Sequence, residues 1–189
     1  IMLLGSSVYA AGLKSKMASR LFKIGMMTSL VGGYTMLDVM MVYFSDELLV
    51  MRTHGGQLCL MLGAYFGGIM VCDAISGKYK KAAEIVIGVS GIVNMLIIAV
   101  VISGKVLLYD TRLVWGCSQC IISLALIVLC LFELKKEKKK GMELITYVLI
   151  HAAILLDFIG VGYHMYYSGA CFKISFMIML LLFLFRGTK

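Results

Sequence analysis

Asp38 and Asp157 stand inside otherwise uncharged runs, and among all the side chains of this sequence they have the strongest claim to chemistry. An ionised aspartate near the centre of a membrane helix costs about 2.5–3.5 kcal/mol on insertion scales, so such a group faces a bundle interior or water. Asp38 precedes Phe44 by six residues, and Asp157 precedes Tyr163 by six. At about 1.5 Å per residue, both fall about 9 Å below the same membrane boundary and can share one polar layer. Two roles stay open for that layer: hydrogen bonding between helices, or a ligand or ion site. His151 is six residues before Asp157, which turns the two about 120° apart on a helix. Lone histidines such as His54, His151 and His164 fit interfacial or core positions, and no metal site is expected.

A cluster of aromatic residues accompanies the aspartates: Tyr109, Trp115, Tyr163, Tyr166 and Tyr167, beside Asp110 and Arg112. They read either as a belt at headgroup depth or as the mouth of a small-molecule pocket. In the second case the rings supply contact area, while Asp157, Arg112 or His164 orients the ligand. Two thiol arrangements offer other chemistry. Cys117 and Cys120 form a CxxC that could act in thiol–disulfide exchange. His54 and Cys59, in H-G-G-Q-L-C, could pair a base with a nucleophile. The second pair is similar to the His and Cys of membrane peptidases that process quorum-sensing propeptides, but there the histidine follows the glycine pair. A spacing of five also turns the side chains about 140° apart, so they meet only if Gly55-Gly56 breaks the helix.

The elements that must position these residues are membrane helices. The chain has 189 residues, 61% apolar and 15% charged, more apolar surface than a soluble domain of this size can bury. Apolar runs of about twenty residues exclude a transmembrane barrel, whose strands alternate over about ten. The segment ELKKEKKKGME, Glu133 to Glu143, lies between two of these runs and marks a cytoplasmic loop. Expected spans are Ile24 to Phe44, Thr53 to Cys72, Ile85 to Gly104, Leu113 to Phe132, Leu144 to Tyr163 and Ser168 to Phe185. The run from Ile1 to Leu13 is too short to span and reads as the tail of a truncated first helix. Fourteen of the 18 basic residues fall in alternate loops and the C-terminal segment, while Arg52, Lys105, Arg112 and Lys173 fall on the other side. The net charge of +8 therefore reports topology rather than a nucleic-acid surface.

The expected fold is all-α: a polytopic membrane helix bundle of six complete transmembrane helices plus the truncated first one. Residues 1–189 form a single transmembrane helical domain, with the N-terminus outside and the C-terminus cytoplasmic. The six cysteines lie within or beside apolar runs and read as buried thiols.

Several stretches carry a family resemblance: GYTMLDVMMVYFSDELLV (Gly33 to Val50), GKYKK (Gly77 to Lys81), LLYDTRLVW (Leu107 to Trp115), LALIVLCLFELKK (Leu124 to Lys136) and LLDFIGVGYHMYYSG (Leu155 to Gly169). Together they resemble the seven-transmembrane region of bacterial receptors with diverse intracellular signalling modules, in the form that precedes GGDEF or histidine kinase domains. The resemblance implies a sensor in a bacterial cytoplasmic membrane whose output domain lies beyond Lys189 and is absent here. On this expectation the chain is not itself an enzyme and uses no cofactor. Its expected partners are the lipid bilayer, an unknown small ligand and a second copy in a homodimer, with no nucleic acid. The expected ligand-binding set is Asp38, Asp157, Arg112, Trp115, Tyr163 and His164. A small transporter or permease component is the alternative, and a membrane-embedded thiol enzyme the third reading.

Overall fold

A computed structural model describes residues 16–43, 47–108, 110–136, 141–162 and 178. Side chains are described for residues 19, 22–34, 36, 54–108, 110–136, 141–159 and 178. Five helices follow in order: α1 (Lys16–Tyr43), α2 (Glu47–Ala74), α3 (Lys78–Ile102), α4 (Arg112–Lys136) and α5 (Gly141–Gly162). No strand occurs among the described residues. Four stretches, His54–Ala74 of α2, all of α3, all of α4 and Gly141–Ile159 of α5, are long and apolar enough to cross a membrane.

The expected count of six helices plus one is not matched among the described residues. The expected first and seventh helices, Ile1 to Leu13 and Ser168 to Phe185, lie outside them except for Ile178, which is helical. Helix ends also differ from the apolar runs. α3 starts at Lys78 and α4 continues through Lys136, because lysine and glutamate are good helix formers and their long stems let the charged heads reach water. Glu133, expected to open the lysine loop, is therefore inside α4.

Turn chemistry sets the boundaries. Gly77 and Gly104 adopt φ of +64° and +73°, the left-handed conformation that glycine enters without a Cβ penalty. At the end of α3, the Gly104 N–H donates to Val101 O at 3.0 Å and the Ser103 hydroxyl donates to Val100 O at 2.6 Å. Thr111 immediately precedes α4, its carbonyl accepting the Trp115 N–H at 2.9 Å. Hydroxyls within the helices donate back one turn, Thr28 to Ile24 O and Thr146 to Met142 O, which satisfies them without water.

Burial is inverted relative to a soluble fold. α3 buries Ala83, Ile87, Ser90, Asn94 and Ile97, a stripe with spacings of four and three, and exposes Ile85, Val89, Ile92, Met95, Leu96 and Val100. On α4 the buried stripe includes Gln119, Ser123 and Glu133, while Ile121, Leu124, Val128 and Leu131 are exposed. Polar groups turned in and large apolar groups turned out are what hydrocarbon solvent selects.

The chain divides into two compact units, one of Ile1–Met70 and Val89–Trp115, the other of Val71–Gly88 and Gly116–Lys189. In the first unit α1 and α2 run antiparallel through glycines. A Cβ at Gly56 would lie 3.4 Å from the Tyr34 ring, one at Gly63 3.8 Å from Leu30, and one at Gly67 3.3 Å from Met27. Such close approach brings the two helices into extensive dispersion contact. In the second unit α4 and α5 pack antiparallel, and Gly116 leaves room for Phe158, whose ring a Cβ would overlap.

Candidate functional site

The expected site residues are dispersed over the two units. Asp38 falls in α1, but its side chain is outside the described residues, as are Tyr163 and His164 altogether. Asp157 is half-buried on α5 in the second unit and takes part in an interaction. Arg112 and Trp115 belong to the first unit, where Arg112 is exposed and also engaged.

Trp115 is the side chain whose environment is best defined. It stands near the start of α4, half-buried, against a cluster of the buried residues Met61, Ile97 and Leu108. Val93, Ile98 and Val101 pack on the same cluster. The indole Nε1–H donates to Asn94 Oδ1 at 3.0 Å, and Asn94 is itself buried. A belt tryptophan directs its N–H to the headgroups. Trp115 directs it to a buried amide.

α2 contributes a second polar group to this unit. Met61 faces Ile97 and Leu108, and Gln57, four residues earlier, shares that helical face one turn away. Gln57 is 6% exposed, and its Nε2 has no hydrogen-bond partner. An unmade hydrogen bond of this kind costs about 1–3 kcal/mol. The same segment answers the thiol question. α2 runs unbroken through Gly55 and Gly56, so His54 and Cys59 remain about 140° apart around the helix.

The second unit holds a run of polar groups along the buried face of α4. Ser123 Oγ lies 3.2 Å from His151 Nδ1 on α5, both side chains being buried. Toward the lysine end, Glu133 is 0% exposed. Its Oε1 accepts from the Ser76 backbone N–H at 3.1 Å and from the Ser76 hydroxyl, while Oε2 has no partner. The cause is local to α3, whose first turn contains no acidic residue and begins with lysines. Glu133 supplies from another helix the anion that the positive end of α3 lacks. Around it, Tyr79 stacks on Phe132 with centroids 5.7 Å apart and planes 13° from parallel, and the Lys78 ammonium sits 5.0 Å from the Tyr79 centroid.

The five described cysteines, Cys59, Cys72, Cys117, Cys120 and Cys130, are free thiols, Cys117 exposed and Cys72 and Cys130 buried. No group of three or more His, Cys, Asp and Glu side chains capable of holding a metal ion occurs among the described residues. Gln57, Asn94, Ser123 and Glu133 were not singled out by sequence reasoning. For Gln57 a usable signal existed, since it falls on the Met61 face at helical spacing; for Glu133 none did, since Ser76 is 57 residues away. Compared with protein-family models, curated proteins and solved structures, the chain matches none.

Proposed function

We propose that the chain is a membrane-embedded input module for bacterial signal transduction, in which a small ligand or a change in the bilayer alters helix packing on the outer side. The last helix passes that change to a cytoplasmic output domain. The observation that carries this reading is the Trp115–Asn94 bond. It favours a pocket over a belt for the aromatic residues near the start of α4, because the indole N–H is committed inward, beside an apolar cluster. A ligand shifts such a packing equilibrium only through its different affinity for two arrangements, and the polar contact of Trp115 with Asn94 provides groups whose partners can differ between them. The proposed topology keeps the N-terminus outside, the C-terminus in the cytoplasm, and six complete helices plus a partial first one.

The test is a chimera carrying a cyclase output domain in register after the last helix, assayed in cells for its product. Asn94→Leu and Asp157→Asn should each shift basal or stimulated output severalfold. Output equal to that of the unsubstituted chimera in both variants removes Asn94 and Asp157 from signalling.

The second reading is a small transporter or permease component. It is favoured by the polar run of Gln119, Ser123, His151 and Glu133 in the second unit, which continues toward the lysine end where the sequence predicts few ionisable groups. Uptake of a radiolabelled solute by liposomes containing only this chain would support that reading over the first.

A further inference from the structure

We infer that the turn joining α2 to α3, together with the end of α4, holds the headgroup of an anionic phospholipid, with the lipid phosphate between the ammonium groups of Lys78 and Lys136. The inference needs only that these apolar helices cross a bilayer, and it is independent of the receptor reading.

Three observations converge. First, packing brings ammonium groups from two helices to one turn, all within the second unit. The Ser76 N–H donates to Glu133 Oε1 at 3.1 Å, which seats the last turn of α4 on the connection between α2 and α3. Lys136, one turn past Glu133, carries its Nζ to 3.0 Å from where a Cβ on Gly77 would stand. Lys78 follows Gly77 directly, and its Nζ lies 5.0 Å from the Tyr79 centroid. That ring stacks on Phe132, which shares a face of α4 with Lys136 one turn later. Gly77, Lys78 and Lys136 are all exposed, so a headgroup reaches them from the surface.

Second, positive charge is in excess here. The first turn of α3 contains no acidic residue. Glu133 already answers the start of α3 and is 0% exposed, so it shows no charge to the surface. Among the described residues of this end, the exposed lysines are Lys78, Lys80, Lys81, Lys135 and Lys136, and the exposed acids are Asp73 and Glu84. Ammonium groups gathered on one turn repel, and an anion between them is attracted to both.

Third, exposed apolar surface runs from each ammonium toward the middle of its helix. On α3, Ile85 is exposed two turns from Lys78 on the same face. On α4, Phe132 and Val128 are exposed one and two turns before Lys136. At about 1.5 Å per residue these side chains lie about 6–12 Å from the ammonium level, the depth of acyl chains. A molecule that meets this whole surface has an anionic head and apolar chains. Basic pockets between helix ends hold anionic headgroups in this way.

The experiment titrates the full chain in detergent micelles with phosphatidylglycerol and counts bound lipid by native mass spectrometry. Phosphatidylcholine with the same chains is the zwitterionic control, and glycerol phosphate is the headgroup without chains. The expected result is saturable retention of phosphatidylglycerol, about tenfold tighter than phosphatidylcholine, with no competition from glycerol phosphate at equal concentration. Lys78→Gln and Lys136→Gln should each weaken retention about fivefold, the scale of one basic side chain at an anionic surface, while Lys78→Arg and Lys136→Arg stay within about twofold of the parent. Lys80→Gln removes the same charge about 200° around the helix from Lys78 and should leave affinity unchanged. Equal affinity for the two phospholipids overturns the inference. So does an equal loss in Lys80→Gln, which would mean a diffuse surface charge with no discrete headgroup position. Full competition by glycerol phosphate also overturns it, because a soluble phosphate would then be the ligand.

Discussion

Replacing Glu133 separates the geometry of its contact with Ser76 from its charge. Glu133→Ala removes the acceptor of two hydrogen bonds from Ser76, one from its N–H and one from its hydroxyl, and leaves a cavity beside them. Losing the acceptor of such donors costs about 1–3 kcal/mol each. Glu133→Gln keeps the acceptor oxygen in place and deletes the charge. Loss of charge assistance on two bonds and of the attraction to the α3 N-terminus amounts to about 2–3 kcal/mol. Release from burying an ion offsets part of that. The net expectation is about 1 kcal/mol, well below the alanine variant. For a chain of this size, about 1 kcal/mol lowers the melting temperature by roughly 2–4 °C. Reversible unfolding in mixed micelles, with SDS as the denaturant and circular dichroism as the signal, ranks the variants. A Ser76→Ala cycle should return a coupling of about 1–2 kcal/mol. The reasoning is refuted if Glu133→Ala stays within about 0.5 kcal/mol of the parent, the range of an uninvolved surface change. It is equally refuted if the glutamine variant is as damaging as the alanine.

Two further outcomes follow from packing and hydrogen bonding. Gly116→Ala should destabilise by about 1–3 kcal/mol, because its Cβ would overlap the Phe158 ring, and Phe158→Leu should recover part of the loss in the same unfolding assay. Ser123→Ala should cost only about 0.6 kcal/mol in SDS unfolding, the scale of hydrogen bonds between membrane helices, and a loss beyond about 2 kcal/mol would assign the His151 contact a larger role than one bond.

The helices were legible wherever apolar length alone decides. Each of the four stretches able to span overlaps an expected run, because a twenty-residue apolar segment has few other stable forms in lipid. Their charged ends were not legible. Glu133 reads as loop in a lysine-rich segment, and only a donor from a distant turn makes its burial tolerable. The polar groups of the first unit were missed for a related reason. Sequence reasoning weighs charge, whose cost in a membrane is plain, over neutral amides such as Gln57 and Asn94, whose cost depends on whether a partner exists. The direction of the Trp115 N–H, which separates belt from pocket, is a rotamer choice that no spacing encodes.

The glycines of α2 leave a further mark on how this protein can move. Gly63 and Gly67 are four residues apart, and the α1 side chains opposite them, Leu30 and Met27, are spaced by three. Sliding α2 by one turn, about 5.4 Å, would bring Gly67 opposite Leu30 and Gly63 opposite Tyr34. Leu30 and Tyr34 would again meet glycines, while Met27 would move opposite Met70, so two of the three contacts can be remade. Gly116 and Phe158 offer a single seat, because only a single residue of α4 makes room for that ring. A stroke along α1 thus has to re-seat only Met27, whereas the α4–α5 pair behaves as a fixed bearing.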